Sequence, residues 1–349
     1  MSYNVDHSFS YNGAYGSLFV PQDAAGVGVV LGPGILGNRY GLEDVAKTIV
    51  KENRAHVITL DPPSHHENVM KFTFANYAKI ETLAAQYLRT KYDINKVVGG
   101  GHSGGAIAGL FANMRYTGEK EALAMQYWDS SSIDEYDVGL ALEECSVGQT
   151  NDGSFDGLIL ASLPKNVRTA MPSYAFNPFF LKMMQTGFHM QNKGNKTNFL
   201  GKLRERPYQW KHLSVHSLKE TKEYATSALN PVEYLQLLHD CSLGEDMFKE
   251  VVDNVQSTPK LFLVPGRDIV SFGPKVFVPH LLRKKGVEQD LALLRQNLDF
   301  LGVDGGRYHE FPHDAHFLNG KFEGDSLYGL QGKDVQEKIV DFVQEFAQK

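Results

Sequence analysis

Short apolar runs alternate with stretches of helical spacing along much of the chain. Residues 26–31 (GVGVVL) are apolar and stop at the loop Gly32-Pro33-Gly34-Ile35-Leu36-Gly37, and a helical pattern follows from Leu42 to Lys51. Residues 56–60 (HVITL) form the next strand pattern, ended by Asp61-Pro62-Pro63. Apolar and aromatic residues at Tyr77, Ile80, Ala84, Tyr87 and Leu88 then recur at helical spacing. A further strand opens at Lys96–Val98, runs into the glycine-rich segment 99–105 (GGGHSGG), and leads to a helix-compatible AIAGLFANM. Strand, loop and helix repeated in this way predict a parallel sheet with helices on its faces.

After Arg115 two segments compete for the next strand, Ala122–Trp128 and Asp156–Ser162; the second, with GLILAS, has the purer pattern of a buried strand. The alternation resumes with a strand at Lys260–Val264, a helix near Val287–Leu301, a strand at Arg307–Phe311 and a last helix over Val335–Phe346. Residues 165–230 break the rhythm. They hold eleven Lys and Arg against three Glu, a balance of +8 that leaves −14 for the remainder of a chain whose net charge is −6. The same segment begins with Tyr174, Phe176, Phe179, Phe180, Met183, Met184 and Phe188, largely at helical spacing. We read residues 165–230 as an inserted, mainly helical cap, and residues 1–164 and 231–349 as the core domain.

Composition narrows the classes. With 349 residues, 42% of them apolar and 22% charged, the chain can bury a full core without disulfides or a structural metal. Cys145 and Cys241 lie far apart and without metal-ligand spacing, so both read as free thiols. The net charge of −6 gives no field suited to phosphate backbones, and nucleic acid is not an expected partner. The first residues, MSYNVDHSFSYNG, lack the basic and apolar regions of a secretory signal, and no uninterrupted apolar stretch of ~18 residues occurs. A cytoplasmic protein without a transmembrane segment is expected; a small-molecule substrate is its expected partner, and a homodimer is an admissible assembly.

Gly101-His102-Ser103-Gly104-Gly105 is a G-x-S-x-G motif placed between a predicted strand and a predicted helix. In that context small flanking residues let the chain turn sharply enough to expose the Ser103 hydroxyl, and the Gly104 N–H would face an oxyanion. Gly99, Gly101 and Gly104 also satisfy G-x-G-x-x-G, which with Asp129 would suggest an NAD(P)-dependent oxidoreductase. That fingerprint belongs in the first βαβ unit, whereas here at least two strand and helix pairs precede it.

Over roughly residues 17–165 and 231–349 the chain resembles the α/β-hydrolase fold superfamily. The resemblance is carried by the Ser103 elbow, the Gly32-Pro33-Gly34-Ile35 loop after the first parallel strand, and Asp268 and His316 in the order Ser, Asp, His. Pro33-Gly34 stands where that family usually has His-Gly. Alignment of the loop implies the Ile35 N–H as the second oxyanion donor. A Ser nucleophile distinguishes the chain from the dehalogenase and epoxide-hydrolase branches, which use Asp.

A serine nucleophile needs a base held by an oriented acid. Asp268 follows the strand LFLVP, at the carboxyl end where open α/β sheets build their sites. Asp129 is the fallback, on condition that Ala122–Trp128 is the strand after the elbow helix. Residues 308–317 (YHEFPHDAHF) offer three histidines. His309 falls within the strand pattern and His313 is the second choice. His316, in the following loop and before Phe317, has the family's usual setting for the base. His313-x-x-His316 is not completed by other ligands into a metal set, and no cofactor is implied. His102 reads as structural or pocket-lining, and His65 and His66 as loop residues. If the cap covers Ser103, Phe176, Phe179, Phe180 and Met183 supply an adaptable apolar wall. The expected activity is a serine hydrolase of carboxylic esters or related acyl bonds; a slow or non-catalytic ligand-binding protein on the same fold is the alternative.

Overall fold

A computed structural model describes residues 2–34, 37–63, 68, 70, 74–113, 154–163, 258–266, 307–312, 314, 318 and 330–347. Among them, eight strands join in one sheet: β1 (Tyr3–Tyr11), β2 (Ala14–Pro21), β3 (Val27–Leu31), β4 (His56–Leu60), β5 (Lys96–His102), β6 (Gly157–Ala161), β7 (Lys260–Pro265) and β8 (Tyr308–Phe311). Their spatial order is β1-β2-β4-β3-β5-β6-β7-β8. From β4 to β8 every neighbouring pair is parallel, while β1 and β2 pair antiparallel at one edge.

Helices α1 (Glu43–Asn53), α2 (Phe74–Tyr92), α3 (Gly104–Ala112) and α4 (Lys333–Ala347) complete the described elements, with a short 3-10 turn at Arg39–Leu42 before α1. The strands β3 to β7 are buried almost throughout, so each reads in the sequence as an apolar run rather than an alternation. Successive side chains nevertheless serve two cores. Val30, Ile58, Val97, Leu158 and Leu160 pack with the buried sides of α2 and α3. Val29, Leu31, Val57, Val98, Ile159 and Leu263 pack with Val45, Ile49, Val335, Ile339 and Phe342 of α1 and α4.

Two sequence expectations are settled here. The place beside β5 is filled by β6, within Asp156–Ser162, rather than by Ala122–Trp128, which lies outside the described residues. The strand expected over Lys96–Val98 continues through the glycines to His102, because Gly99–His102 pair with Leu158–Ala161. The β1–β2 hairpin was not anticipated. Its turn, Asn12-Gly13, has φ of 47° and 90°, the two positive values that Asn-Gly hairpin turns supply. Residues 165–230 and the helix expected near 287–301 lie outside the described residues. Among the described residues, no helix is long and apolar enough to cross a membrane.

The chain leaves β3 toward β4 on one side and later returns to β5 on the other. That reversal makes the carboxyl ends of β3 and β5 the switch point of the sheet, where such folds open a crevice for ligands.

Candidate active site

Ser103 lies at this switch point, between the last residue of β5 and the first of α3. Its φ of 52° and ψ of −110° put a side-chain-bearing residue where few are found, at a cost of about 1–3 kcal/mol. Hydrogen bonds hold it there: Ser103 N–H donates to Ala161 O at 2.8 Å, and Ile107 N–H donates to Ser103 O at 3.2 Å, starting α3. With the Ser103 N–H engaged by β6, the N–H of Gly104 opens the helix, where position leaves it no intrahelical acceptor. Ser103 is 7% exposed.

The turn is tight because Gly32 is packed between β5 and α3. Gly32 N–H donates to Gly100 O at 2.8 Å, and His102 N–H donates to Gly32 O at 2.9 Å. A methyl group at Gly101 or at Gly105 would overlap the Gly32 carbonyl, so glycine is required at both. The glycines of the rival dinucleotide fingerprint thus have packing duties: Gly101 meets Gly32, and a methyl at Gly99 would overlap the Phe155 ring.

Beyond Gly32 the chain lies over the turn. A methyl at Gly34 would stand 3.2 Å from Ser103 Cβ and 3.1 Å from His102 Nδ1. Polar contacts fix this segment from behind and at its far end. Tyr77 on α2 donates its hydroxyl proton to Pro33 O at 2.6 Å. Gly37 N–H donates to Gly34 O at 2.8 Å. Arg39 Nε lies 2.9 Å from Asp61 Oδ2 in an ion pair with no exposed surface on either side chain, while Arg39 N–H donates to Asp61 Oδ1 at 2.9 Å. The Arg39 guanidinium also donates to His7 O and Gly16 O, tying the segment to the β1–β2 hairpin.

Of the residues singled out in the sequence, Ser103 and Gly104 are placed as just described, His102 is buried at the end of β5, and His309 lies half-buried within β8. Ile35, His65, His66, Asp129, Phe176, Phe179, Phe180, Met183, Asp268, His313 and His316 lie outside the described residues. The strands that precede two of them are in register beside the site: Gly266 N–H donates to Phe311 O at 2.8 Å, so β7 and β8 end side by side. Asp314 follows β8, buried, its N–H on Phe311 O at 3.0 Å. Tyr77, Glu81, Arg39 and Asp61 were not anticipated. Only Glu81 left a trace, as an acidic residue four positions after Tyr77 on the apolar stripe of α2.

This strand order and the strained serine between β5 and α3 are those of the α/β-hydrolase fold. Solved structures agree. The siderophore hydrolase EstB from Aspergillus fumigatus is similar at 13% identity and a TM-score of 0.51, over 100% of this chain and 98% of that one. DcsB, solved in complex with a substrate analogue, is similar at 13% identity and a TM-score of 0.50, over 100% of both chains. No protein-family model matches the chain, and no curated protein does.

Proposed function

We propose that the chain is a serine hydrolase cleaving a carboxylic ester or related acyl bond of a small, partly apolar substrate. The observation that carries this reading is Ser103 itself, held at positive φ between β5 and α3 with the Gly32–Gly34 segment against it. A side chain kept in such a conformation, at the carboxyl edge of the sheet, serves a purpose that packing alone would not require.

In this reading Ser103 Oγ attacks the acyl carbon while His316 takes its proton, and the oxyanion forms against the N–H groups of Gly104 and Ile35. The intermediate collapses, the leaving alkoxide takes the proton from His316, and the acyl group remains on Ser103. Water, deprotonated by His316, then releases the acid and restores the hydroxyl. Asp268 orients His316 and balances its charge. Two features support these assignments: Asp268 is two positions past Gly266 at the end of β7, and His316 is two positions past Asp314 after β8. Asp129 remains the alternative acid; the pairing of β6 with β5 favours Asp268. Phe176, Phe179, Phe180 and Met183 are proposed as pocket walls within the cap.

The test is hydrolysis of p-nitrophenyl esters of increasing acyl length by the wild type and Ser103→Ala. Loss of about 10⁴-fold or more in the variant is expected, and the preferred length sizes the pocket. Equal rates in the two proteins would remove Ser103 as the nucleophile.

A further inference from the structure

Several ionisable groups behind the Gly32–Gly34 segment take no part in the mechanism, Glu81 among them. Glu81 lies on the buried face of α2 with Tyr77, Ile80, Ala84 and Leu88, and it is 0% exposed. Neither of its carboxyl oxygens has a hydrogen-bond partner among the described residues. Buried groups without partners weaken a fold, and ionisable ones concentrate where function requires them.

The surroundings of Glu81 are the backbone of the proposed site. A methyl at Gly32 would overlap Glu81 Oε1 and lie 2.7 Å from the Tyr77 hydroxyl. A methyl at Gly109 on α3 would lie 3.3 Å from Glu81 Oε2. The carboxyl group is therefore wedged between the segment that follows β3 and the helix that begins after Ser103. One helical turn earlier, Tyr77 holds Pro33 O at 2.6 Å.

We propose that Tyr77 and Glu81 are positioning residues: together they form a polar wedge behind Gly32-Pro33-Gly34 that sets the height of this segment over Ser103, and with it the seat of the oxyanion. The inference rests on the serine-hydrolase reading. In this inference Glu81 acts as a neutral acid: it is fully buried, neither oxygen has a hydrogen-bond partner among the described residues, and burial raises its carboxyl. β3 and α3 bring no titratable side chain to it. Burial raises the Tyr77 hydroxyl, and the Asp61 carboxylate, just past β4, adds to it. Asp61 is balanced by Arg39. An ionised Glu81 would be unbalanced and would oppose negative charge developing above it.

The test compares wild type, Tyr77→Phe, Glu81→Ala and Glu81→Gln. It uses kcat and KM for p-nitrophenyl butyrate and the rate of Ser103 labelling by an alkyl fluorophosphonate. Tyr77→Phe and Glu81→Ala are expected to lose about 10- to 100-fold in kcat and in labelling rate, with KM within about twofold. Glu81→Gln, of the same shape and permanently neutral, should restore the rate. An infrared carboxylic-acid band present in wild type at pH 8 and absent in Glu81→Gln would identify the neutral group without reference to activity. Folded Tyr77→Phe and Glu81→Ala with wild-type kcat and labelling overturn the inference alone, as does the absence of that infrared difference. A wild type that the fluorophosphonate does not label overturns the hydrolase reading, and this inference with it. Should Glu81→Ala not fold, Tyr77→Phe and the infrared comparison decide.

Discussion

The two segments that meet at Ser103 are held in place by opposite means. The elbow from Gly99 to Gly105 is fixed by the lack of side chains: backbone meets backbone, and methyl groups at Gly101 and Gly105 have nowhere to go. Gly32–Gly34 and Arg39 are fixed by buried polar side chains brought from elsewhere, Tyr77 from α2 and Asp61 just past β4. Shape imposes an all-or-none requirement, because hard contacts cannot be eased without moving a strand. Polar anchors act in grades, since each can be removed singly and each leaves a different orphan. One side of the site is thus built for exact position and the other for adjustable position, as expected if the nucleophile is fixed and the oxyanion seat is tuned.

The comparison can be broken first at Ser103, the proposed nucleophile. Ser103→Ala leaves both supports intact and should lose about 10⁴-fold or more in turnover, with an unchanged melting profile; a large fall in stability would mean that the hydroxyl holds the elbow rather than acting on substrate. Next comes the buried ion pair. Asp61→Leu leaves the buried Arg39 guanidinium without the Asp61 carboxylate and should cost about 3–5 kcal/mol in urea denaturation. The double variant Arg39→Met/Asp61→Leu should recover part of that, limited by the carbonyls of His7 and Gly16 that lose their donor. A double variant as unstable as the single one would contradict the polar-anchor account. Gly105→Ala drives a methyl into the Gly32 carbonyl and should cost about 3 kcal/mol; a loss below about 1 kcal/mol would show that the elbow yields.

The smallest effect lies at the opposite end of the sheet and serves as a control. His56, 5% exposed at the start of β4 with its ring centroid 4.3 Å from that of Tyr92 and tilted against it, is held below its ordinary pKa by burial. The unfolded chain therefore binds a proton more readily, and stability is lost as pH falls below about 6.5. His56→Phe should reduce the fall in Tm between pH 7.5 and 5.5 by about 1–3 °C without altering the rate. A change in rate would mean that the two ends of the sheet are coupled.

The parts of the fold that were legible are those whose residues answer locally to burial. β3, β4, β6 and β7 lie under helices on both faces and show as mainly apolar runs, and α4 shows its helical period in Val335, Ile339, Phe342 and Val343. The elbow was legible because its constraint is written in consecutive small residues. The hairpin escaped notice because β1 exposes much of its length, and Asn12-Gly13 was its one clear mark. Arg39, Asp61 and Tyr77 could not be read, because what defines them is a partner distant in sequence: Arg39 meets Asp61 22 positions away, and Tyr77 meets Pro33 44 positions away. Glu81 was present as a misfit in an apolar stripe, and a misfit of that kind is the sequence signature of a constraint that packing does not explain.

The last described helix carries a consequence for how this protein is made. α4 covers Val29, Val98 and Ile159 with Ile339 and Phe342, and it is stitched to α1 by Asn53 Nδ2 on Val340 O at 3.0 Å and by Thr48 Oγ1 on Gln336 Oε1 at 2.8 Å. β3, β5 and β6 thus precede residues 333–347, which complete the packing on one side of the sheet. Until then the part of that side which Ile339 and Phe342 cover lacks its packing partner, and transiently exposed apolar surface of this kind is what chaperones shield.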